Sequence, residues 1–492
     1  MKKIVCLLLA LCLITGVITL AACSANPIDK AAKDANAYTI AASYDDTSHI
    51  LSAMQTVEIT NRSENSVTSV KFHIYANAYR ENASTPVVPN TYHAKAYVNG
   101  DSYGDIAFDS VKVNGNAVAY TIEGENLDIL SVPLAEELFP DGKTTIEMTY
   151  QIQLANIRHR LGYTDNTVNL GNWYPVLCVM SNGGYDCTPY YNIGDPYVTD
   201  VANYDVTIKL PSNYVVASSG ALEEATQDNG FTCYNYKANA LRDFALVMSK
   251  NFKKLSQQVG DTQVNYYYYN DANPEQSLAT AVGMLDFLNK NVGGYPYSVY
   301  SVCETDFCYG GMEYGALAMV TSGSNAYTEA IAHETAHQWF YGLVGNNQIT
   351  NAWMDEGLAE FLTYMYLDET DAMPIENSVK AVTKTYVSYV DVLNHYYDNV
   401  DTSFRALNEY KNDNEYVVFT YVKGSLLFGT LYEVMGKAKF TKALQNYFDG
   451  AICTIAAPDQ MINAFTGVSG QELGKIFTDF IEGKEIISQI IQ

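Results

Sequence analysis

The chain has 492 residues, room for two to four domains with sizeable cores. Its apolar content of 48% is ordinary for a globular protein and excludes a chain disordered throughout. A formal charge of −26 argues against nucleic acid and anionic membrane surfaces as charge-recruited partners, and solubility is the simplest reason for it.

The first predicted element is a leader. Met1-Lys2-Lys3 is basic, Ile4 to Leu20 is almost unbroken apolar sequence, and Leu20-Ala21-Ala22-Cys23 closes it. A charged head, an apolar run and small residues before a cleavage point read as a secretory signal over residues 1–22. The alternative is an uncleaved membrane-spanning anchor. Leu-Ala-Ala-Cys resembles the bacterial lipobox, which implies lipidation of Cys23 and an extracytoplasmic protein anchored to a bacterial membrane. Residues 23–36 are small and polar and read as a tether.

From Tyr38 the texture is β. Met54–Thr60, Val67–Tyr75 and Tyr204–Leu210 alternate apolar and polar residues. Phe231–Tyr236 continues the pattern, and Val111–Val118 reads as a hairpin turning at Asn114-Gly115. Helical periodicity is scarce before about residue 270, so residues 37–255 are expected to form a β-rich domain. Residues 256–492 change character: a strand over 264–269, an amphipathic helix over Pro274–Lys290, a strand over Tyr297–Glu304, and mostly helix after Asn325. Nine Cys are present, three of them in the leader. Cys178 with Cys187, or Cys303 with Cys308, are the candidate pairs outside the cell, and spacing does not choose between paired and free.

The chemistry centres on Ile331–Phe340, which holds His333-Glu334-Thr335-Ala336-His337. On a helix, positions four apart share a face, so His333 and His337 aim two imidazoles at one point. Glu334 sits one step round, within reach of a water held there. Two histidines and an adjacent base are half of a hydrolytic zinc site. With eighteen residues between it and His337, Glu356 lies in a second helical segment, Trp353–Phe361, beyond a Gly- and Asn-rich turn at 342–350. A second helix packed back on the first supplies Glu356 as third ligand and leaves one position open, the catalytic pattern. Without Glu356 the motif is as easily a chance pattern on an amphipathic helix.

Two further stretches stand out. Gly310–Gly315 holds Gly311, Met312 and Glu313; glycines there let a backbone approach a ligand, and an ordinary turn with a solvated Glu fits equally. Phe419–Leu427 holds Tyr421, whose hydroxyl can donate to an oxyanion, but the bare sequence does not pick Tyr421 over Tyr416 among 41 tyrosines.

Taken in order, these segments resemble the aminopeptidase N family of gluzincin metallopeptidases. Gly311-Met312-Glu313 is similar to its Gly-x-Met-Glu-Asn loop, His333–His337 to its zinc helix, Trp353–Ala359 to its Trp-x-Asn-Glu-Gly-x-Ala segment, and Tyr421–Gly424 to its Tyr-x-Lys-Gly segment. Phe72–Asn77 and Asn172–Pro175 also have like strings in the family, so the resemblance covers roughly residues 40–480. It implies an α+β multidomain fold, with a β-rich N-terminal domain followed by a thermolysin-like, mostly helical zinc peptidase domain. It implies one Zn2+ per chain on His333, His337 and Glu356. Glu334 would be the general base, Tyr421 the oxyanion donor, and Gly311, Met312 and Glu313 the substrate-binding loop, with Glu313 on the free α-ammonium. Peptides with a free N-terminus would be the substrates. Tyr314 replaces the family's Asn, Asp355 replaces another, and the Gln by which relatives' N-terminal domains help hold the substrate amine has no evident counterpart. The helical C-terminal domain of longer relatives is expected to be missing, which leaves the cleft more open. The expected function is a zinc aminopeptidase at the bacterial surface. The alternatives are an endopeptidase or processing protease on the same site, and a non-catalytic binding lipoprotein.

Overall fold

The computed structural model describes residues 27–181, 183–321, 327–398, 400–470 and 473–484. The leader and Cys23 lie outside the described residues. Residues 27–36, expected as tether, begin with a helix, Pro27–Asp34. Proline at its first turn is compatible with helix. Ile28 is buried, and Asn203 Nδ2 donates to the Ala32 carbonyl at 2.8 Å. A single apolar side chain in a small, polar stretch was enough to dock it.

The β-rich half is built on an eight-stranded sheet in the order Ala221–Asp228, Phe231–Leu241, Ala202–Pro211, Asn36–Asp45, Ile50–Thr60, Lys143–Gln153, Asp105–Val113, Asn116–Ala117. All neighbours whose pairing is given are antiparallel except Asn36–Asp45 with Ala202–Pro211, which run parallel. Alternation read from the sequence is realised as burial: Leu51, Ala53 and Val57 face inward, opposite Ile152, Tyr150 and Ile146. The turn expected at Asn114-Gly115 is present, with φ of 50° and 80° at those residues. Two four-stranded sheets pack into the same core, around Phe72, Leu170 and Trp173.

The helical half opens on a five-stranded sheet in the order Lys253–Val259, Thr262–Tyr268, Val299–Thr305, Leu317–Thr321, Gly311–Met312. Its strand Val299–Thr305 is buried on both faces. Cys303, Met312 and Met319 join the β-rich core, while Val302, Ala318 and Val320 join the helical core. One sheet is therefore the seam between the two halves. The helices Pro274–Asn291 and Tyr327–Ala336 cover its helical face. All six described cysteines are free thiols, although Cys178 and Cys187 are in contact across the hairpin that joins them.

A buried residue pair rivets the seam. Arg242 donates to the carbonyls of Tyr341, Thr199 and Thr454 at 2.6, 2.7 and 2.8 Å. Its neighbour Asp243 accepts from Gly315 N at 2.7 Å and from the Tyr341 hydroxyl at 2.5 Å. Together they tie the end of a β-domain strand to the loop after the histidine helix. Arg242→Met removes the donors to all three carbonyls, two of them in buried bonds, and is expected to destabilise the fold by about 3 kcal/mol or more. An unchanged midpoint in urea would remove the rivet from this account.

Candidate active site

His333 lies in the helix Tyr327–Ala336, and His337 follows its last turn, with its N–H 3.3 Å from the His333 carbonyl. The four-residue step therefore holds, although regular helix stops before His337. Glu356 is the first residue of the helix Glu356–Glu369 rather than an interior one. Asp355 caps that helix, its Oδ1 accepting from Glu356 N at 2.9 Å. Burial, then the adjacent Glu356 charge, pushes the Asp355 carboxyl up to about 7.

His333 Nε2, His337 Nε2 and Glu356 Oε2 form a triangle with edges of 3.0, 3.1 and 3.2 Å. Ligands at about 2.0–2.1 Å in a tetrahedral zinc shell stand roughly 3.3 Å apart, so the donor set fits this ion. The outer nitrogens are oriented as a metal site requires. His337 Nδ1 donates to the Phe340 carbonyl at 3.1 Å, and His333 Nδ1 lies 3.1 Å from Glu360 Oε2. Glu360 is held in turn by the Tyr364 hydroxyl at 2.5 Å. Sequence reasoning missed Glu360; its signal was a second acid one helical turn after Glu356. Against the cost of burial, Glu356 and Glu313 hold the His337 imidazole up at about 10, and the two imidazoles hold Glu356 well below the usual carboxylate range. Protons and a divalent cation compete for this site.

Glu334 is buried beside the triangle, and its Oε2 has no hydrogen-bond partner. Burial pushes its carboxyl up to about 7. The edge strand Gly311–Met312 runs close against it: a Cβ on Gly311 would lie 2.2 Å from Glu334 Oε1. Glycine at 311 is what admits the base and the strand to the same place.

Strand alternation sorts the Gly311–Glu313 loop. Gly311 and Glu313 line a cavity of about 530 Å³ that also contains the triangle. Met312 does not line it. Its side chain turns to the β-rich core, where its sulfur accepts from Arg160 Nε at 3.1 Å. Met312, expected as substrate-binding, is thus a packing residue, because adjacent strand residues face opposite ways. Glu313 is buried and accepts from Gln348 Nε2 at 2.8 Å. Tyr314 packs on Gly171 of the β-rich half and stays out of the cavity wall.

Tyr421 is singled out by the structure. Its hydroxyl donates to Glu356 Oε1 at 2.5 Å and its ring stacks on His333 with centroids 5.8 Å apart. It lies in a π-helical turn, Val418–Val422, ahead of the helix Lys423–Met435. Two glycines let that helix and the Glu356 helix touch. A Cβ on Gly357 would meet the Gly424 Cα at 2.6 Å, and one on Gly424 would meet the Gly357 Cα at 2.8 Å. The Glu-Gly and Lys-Gly pairs of the sequence are the two sides of this crossing. Asp195, in the β-rich half, is the other residue that sequence reasoning missed: its carboxylate lies within 4.8 Å of those of Glu313 and Glu356.

A His-His-Glu triangle between two helices, a base beside it and an edge strand alongside are the parts that a metal-dependent hydrolytic site of the gluzincin type requires. Residues 276–480 match the family described as Peptidase family M1 domain. Aminopeptidase M1-D of Oryza sativa subsp. japonica is 22% identical over 418 residues, covering 76% of this chain and 45% of the rice protein. Aminopeptidase N of Lactococcus lactis subsp. lactis is 23% identical over 212 residues, covering 38% of this chain and 24% of that protein. The chain thus aligns with less than half the length of these curated relatives. The solved M1 zinc metallopeptidase of Deinococcus radiodurans superposes with a TM-score of 0.67 at 16% identity, covering 92% of this chain and 95% of that one. A variant of that protein, solved with a Tyr-Ser-Ala substrate, superposes with a TM-score of 0.65. Residues 276–480 thus match an M1 peptidase domain, the fold is that of the solved two-domain M1 peptidase, and His333, His337 and Glu356 are the residues that could hold a metal ion.

Glu360→Gln removes the charge that orients His333. Zinc affinity is expected to fall roughly 10- to 100-fold, read by competition with a chromogenic chelator. Wild-type affinity in that variant would make Glu360 a bystander.

Proposed function

We propose that this protein is a zinc aminopeptidase that removes N-terminal residues from peptides. The observation that carries the reading is one cavity holding the metal triangle, an unpartnered buried Glu334 beside it, and a buried Glu313 further along the wall. When bound, Zn2+ supplies a Lewis acid that polarises the scissile carbonyl and acidifies water. Glu334 takes the proton of the attacking water and returns it to the leaving amine; a carboxyl poised near 7 suits both transfers. The Tyr421 hydroxyl, which here donates to the metal carboxylate, turns its one O–H to the carbonyl oxygen as charge develops on it. Glu313 holds the α-ammonium, which fixes the cut one residue in. The Gly311 edge strand offers backbone groups to the extended substrate. The peptide-bound relative and the aminopeptidase names of the curated relatives support this assignment.

The leader supports a location: export through residues 1–22, lipidation at Cys23, and attachment to the outer face of a bacterial membrane. Fatty-acid labelling of wild type but not of Cys23→Ala is the expected result, and equal labelling would contradict it.

Glu334→Gln is expected to keep stoichiometric zinc and to lose at least about 100-fold in kcat. Residual wild-type turnover would refute the base assignment. A free-amine peptide is expected to be cut and its N-acetylated twin left intact. Equal cleavage of both would favour the endopeptidase, and no cleavage of either by zinc-loaded protein would favour the binding lipoprotein.

A further inference from the structure

Two thiols away from the metal triangle are built into one hairpin. Met180 pairs with Tyr185 and Ser181 with Gly184. Asp186 N donates to the Val179 carbonyl at 2.8 Å, which carries the same antiparallel register one step further. The next step puts Cys178 opposite Cys187, at a position where the two backbones exchange no hydrogen bond. The Cys178 N–H accordingly turns the other way, to the Lys71 carbonyl at 2.9 Å. Residues paired at such a position stand about 4.5 Å apart at Cα, inside the roughly 4.4–6.8 Å that a disulfide spans. The side chains meet, with the Cys178 thiol donating to the Cys187 sulfur. Cys303 and Cys308, the other pair that spacing suggests, are not arranged this way. Cys303 lies within a strand, opposite Tyr267 and Met319, and its thiol donates to the Ala318 carbonyl at 3.3 Å.

The two thiols differ as the partners of an exchange reaction do. Cys187 is half-buried, and the hydrogen bond from Cys178, aided by the nearby Lys71 ammonium, holds its thiol below the usual range despite partial burial. Cys178 is buried, and burial pushes its thiol up. Cys187 is therefore the sulfur that reacts first with an external reagent, and Cys178 the one that follows. The outgoing arm of the hairpin then meets the catalytic half. His73 Nε2 donates to the Asp186 carbonyl at 3.1 Å. Asp186 Oδ2 lies 3.5 Å from Nδ2 of Asn347, which caps the helix Gln348–Asn351. Five residues beyond Cys187 the chain reaches Asn192, the first of four consecutive residues that line the cavity.

We propose that Cys178 and Cys187 are a disulfide site, closed by exchange with an external disulfide, and that the bridge staples the hairpin leading into the cavity wall. The Cys187 thiolate attacks a sulfur of the donor, forming a mixed disulfide and expelling one thiol. Cys178 then gives up its proton and attacks the Cys187 sulfur, expelling the second thiol. The donor's S–S bond is reduced as the protein's is made, and the two protons of the cysteines end on the two expelled thiols. An exported chain, as proposed above, would meet such donors. The inference is independent of the aminopeptidase reading.

The test uses the full-length folded protein, reduced with a phosphine and then held in oxidised glutathione. No Lys or Arg lies between Leu161 and Lys209, so both cysteines fall in one tryptic peptide, 161–209. That peptide is expected to lose the mass of two hydrogens and to resist alkylation until it is reduced. Cys178→Ser is expected to trap glutathione on Cys187, and Cys187→Ser to trap none on Cys178. Hydrogen exchange at the hairpin amides is expected to slow severalfold on closure. A wild-type peptide that keeps both free thiols, or that holds a stable glutathione adduct, would overturn the disulfide. Glutathione on Cys178 but not on Cys187 in the serine variants would overturn the order of attack. Equal exchange before and after closure would overturn the staple. If the serine variants do not fold, the wild-type mass and exchange measurements decide.

Discussion

Two imidazoles and a carboxylate brought to 3.0–3.2 Å of one another inside a protein are the constraint on which this structure turns. Glu356 and His337 are almost fully removed from water. Without a cation between them, the trio must share protons, as the raised His337 and depressed Glu356 pKa values express. A dication replaces those protons and converts a costly cluster into a bound one. Every neighbouring feature serves that geometry: the Phe340 carbonyl and Glu360 turn the rings, Asp355 starts the Glu356 helix, and Gly357 against Gly424 lets Tyr421 reach the same carboxylate.

The second constraint is the seam. A five-stranded sheet shared by two cores leaves no independent catalytic half; the histidine helix rests on one face and the β-rich domain on the other. That arrangement explains why a residue at the sheet edge, Met312, clasps Arg160, while its neighbours Gly311 and Glu313 face the cavity. It also explains how a loop of the β-rich domain comes to lie within reach of the metal carboxylate. The cavity is a property of the interface, lined by residues of both halves.

What the sequence made legible was local or periodic. His333 and His337 declare themselves by a helical step, strand alternation from Ile50 to Thr60 by a period of two, and the Asn114 turn by its dipeptide. Glu356 was reachable because only a short connection separates two helices. Asp195 and Arg160 act through contacts set by tertiary packing, and no spacing announces them; Glu360 had only its place one helical turn after Glu356 to mark it. Tyr416 and Tyr421 are five residues apart, and only the π-helical turn between them decides which hydroxyl meets Glu356. The helix Pro27–Asp34 was read as a tether because its single buried apolar residue, Ile28, finds its contact only in the folded protein.

The ligand set is tested most directly by zinc K-edge X-ray absorption on the purified protein. The account predicts one zinc per chain whose inner shell is nitrogen and oxygen at about 2.0–2.1 Å, with the outer-ring scattering of two imidazoles. A sulfur shell at about 2.3 Å, drawn from the free cysteines, or a single imidazole, would contradict it.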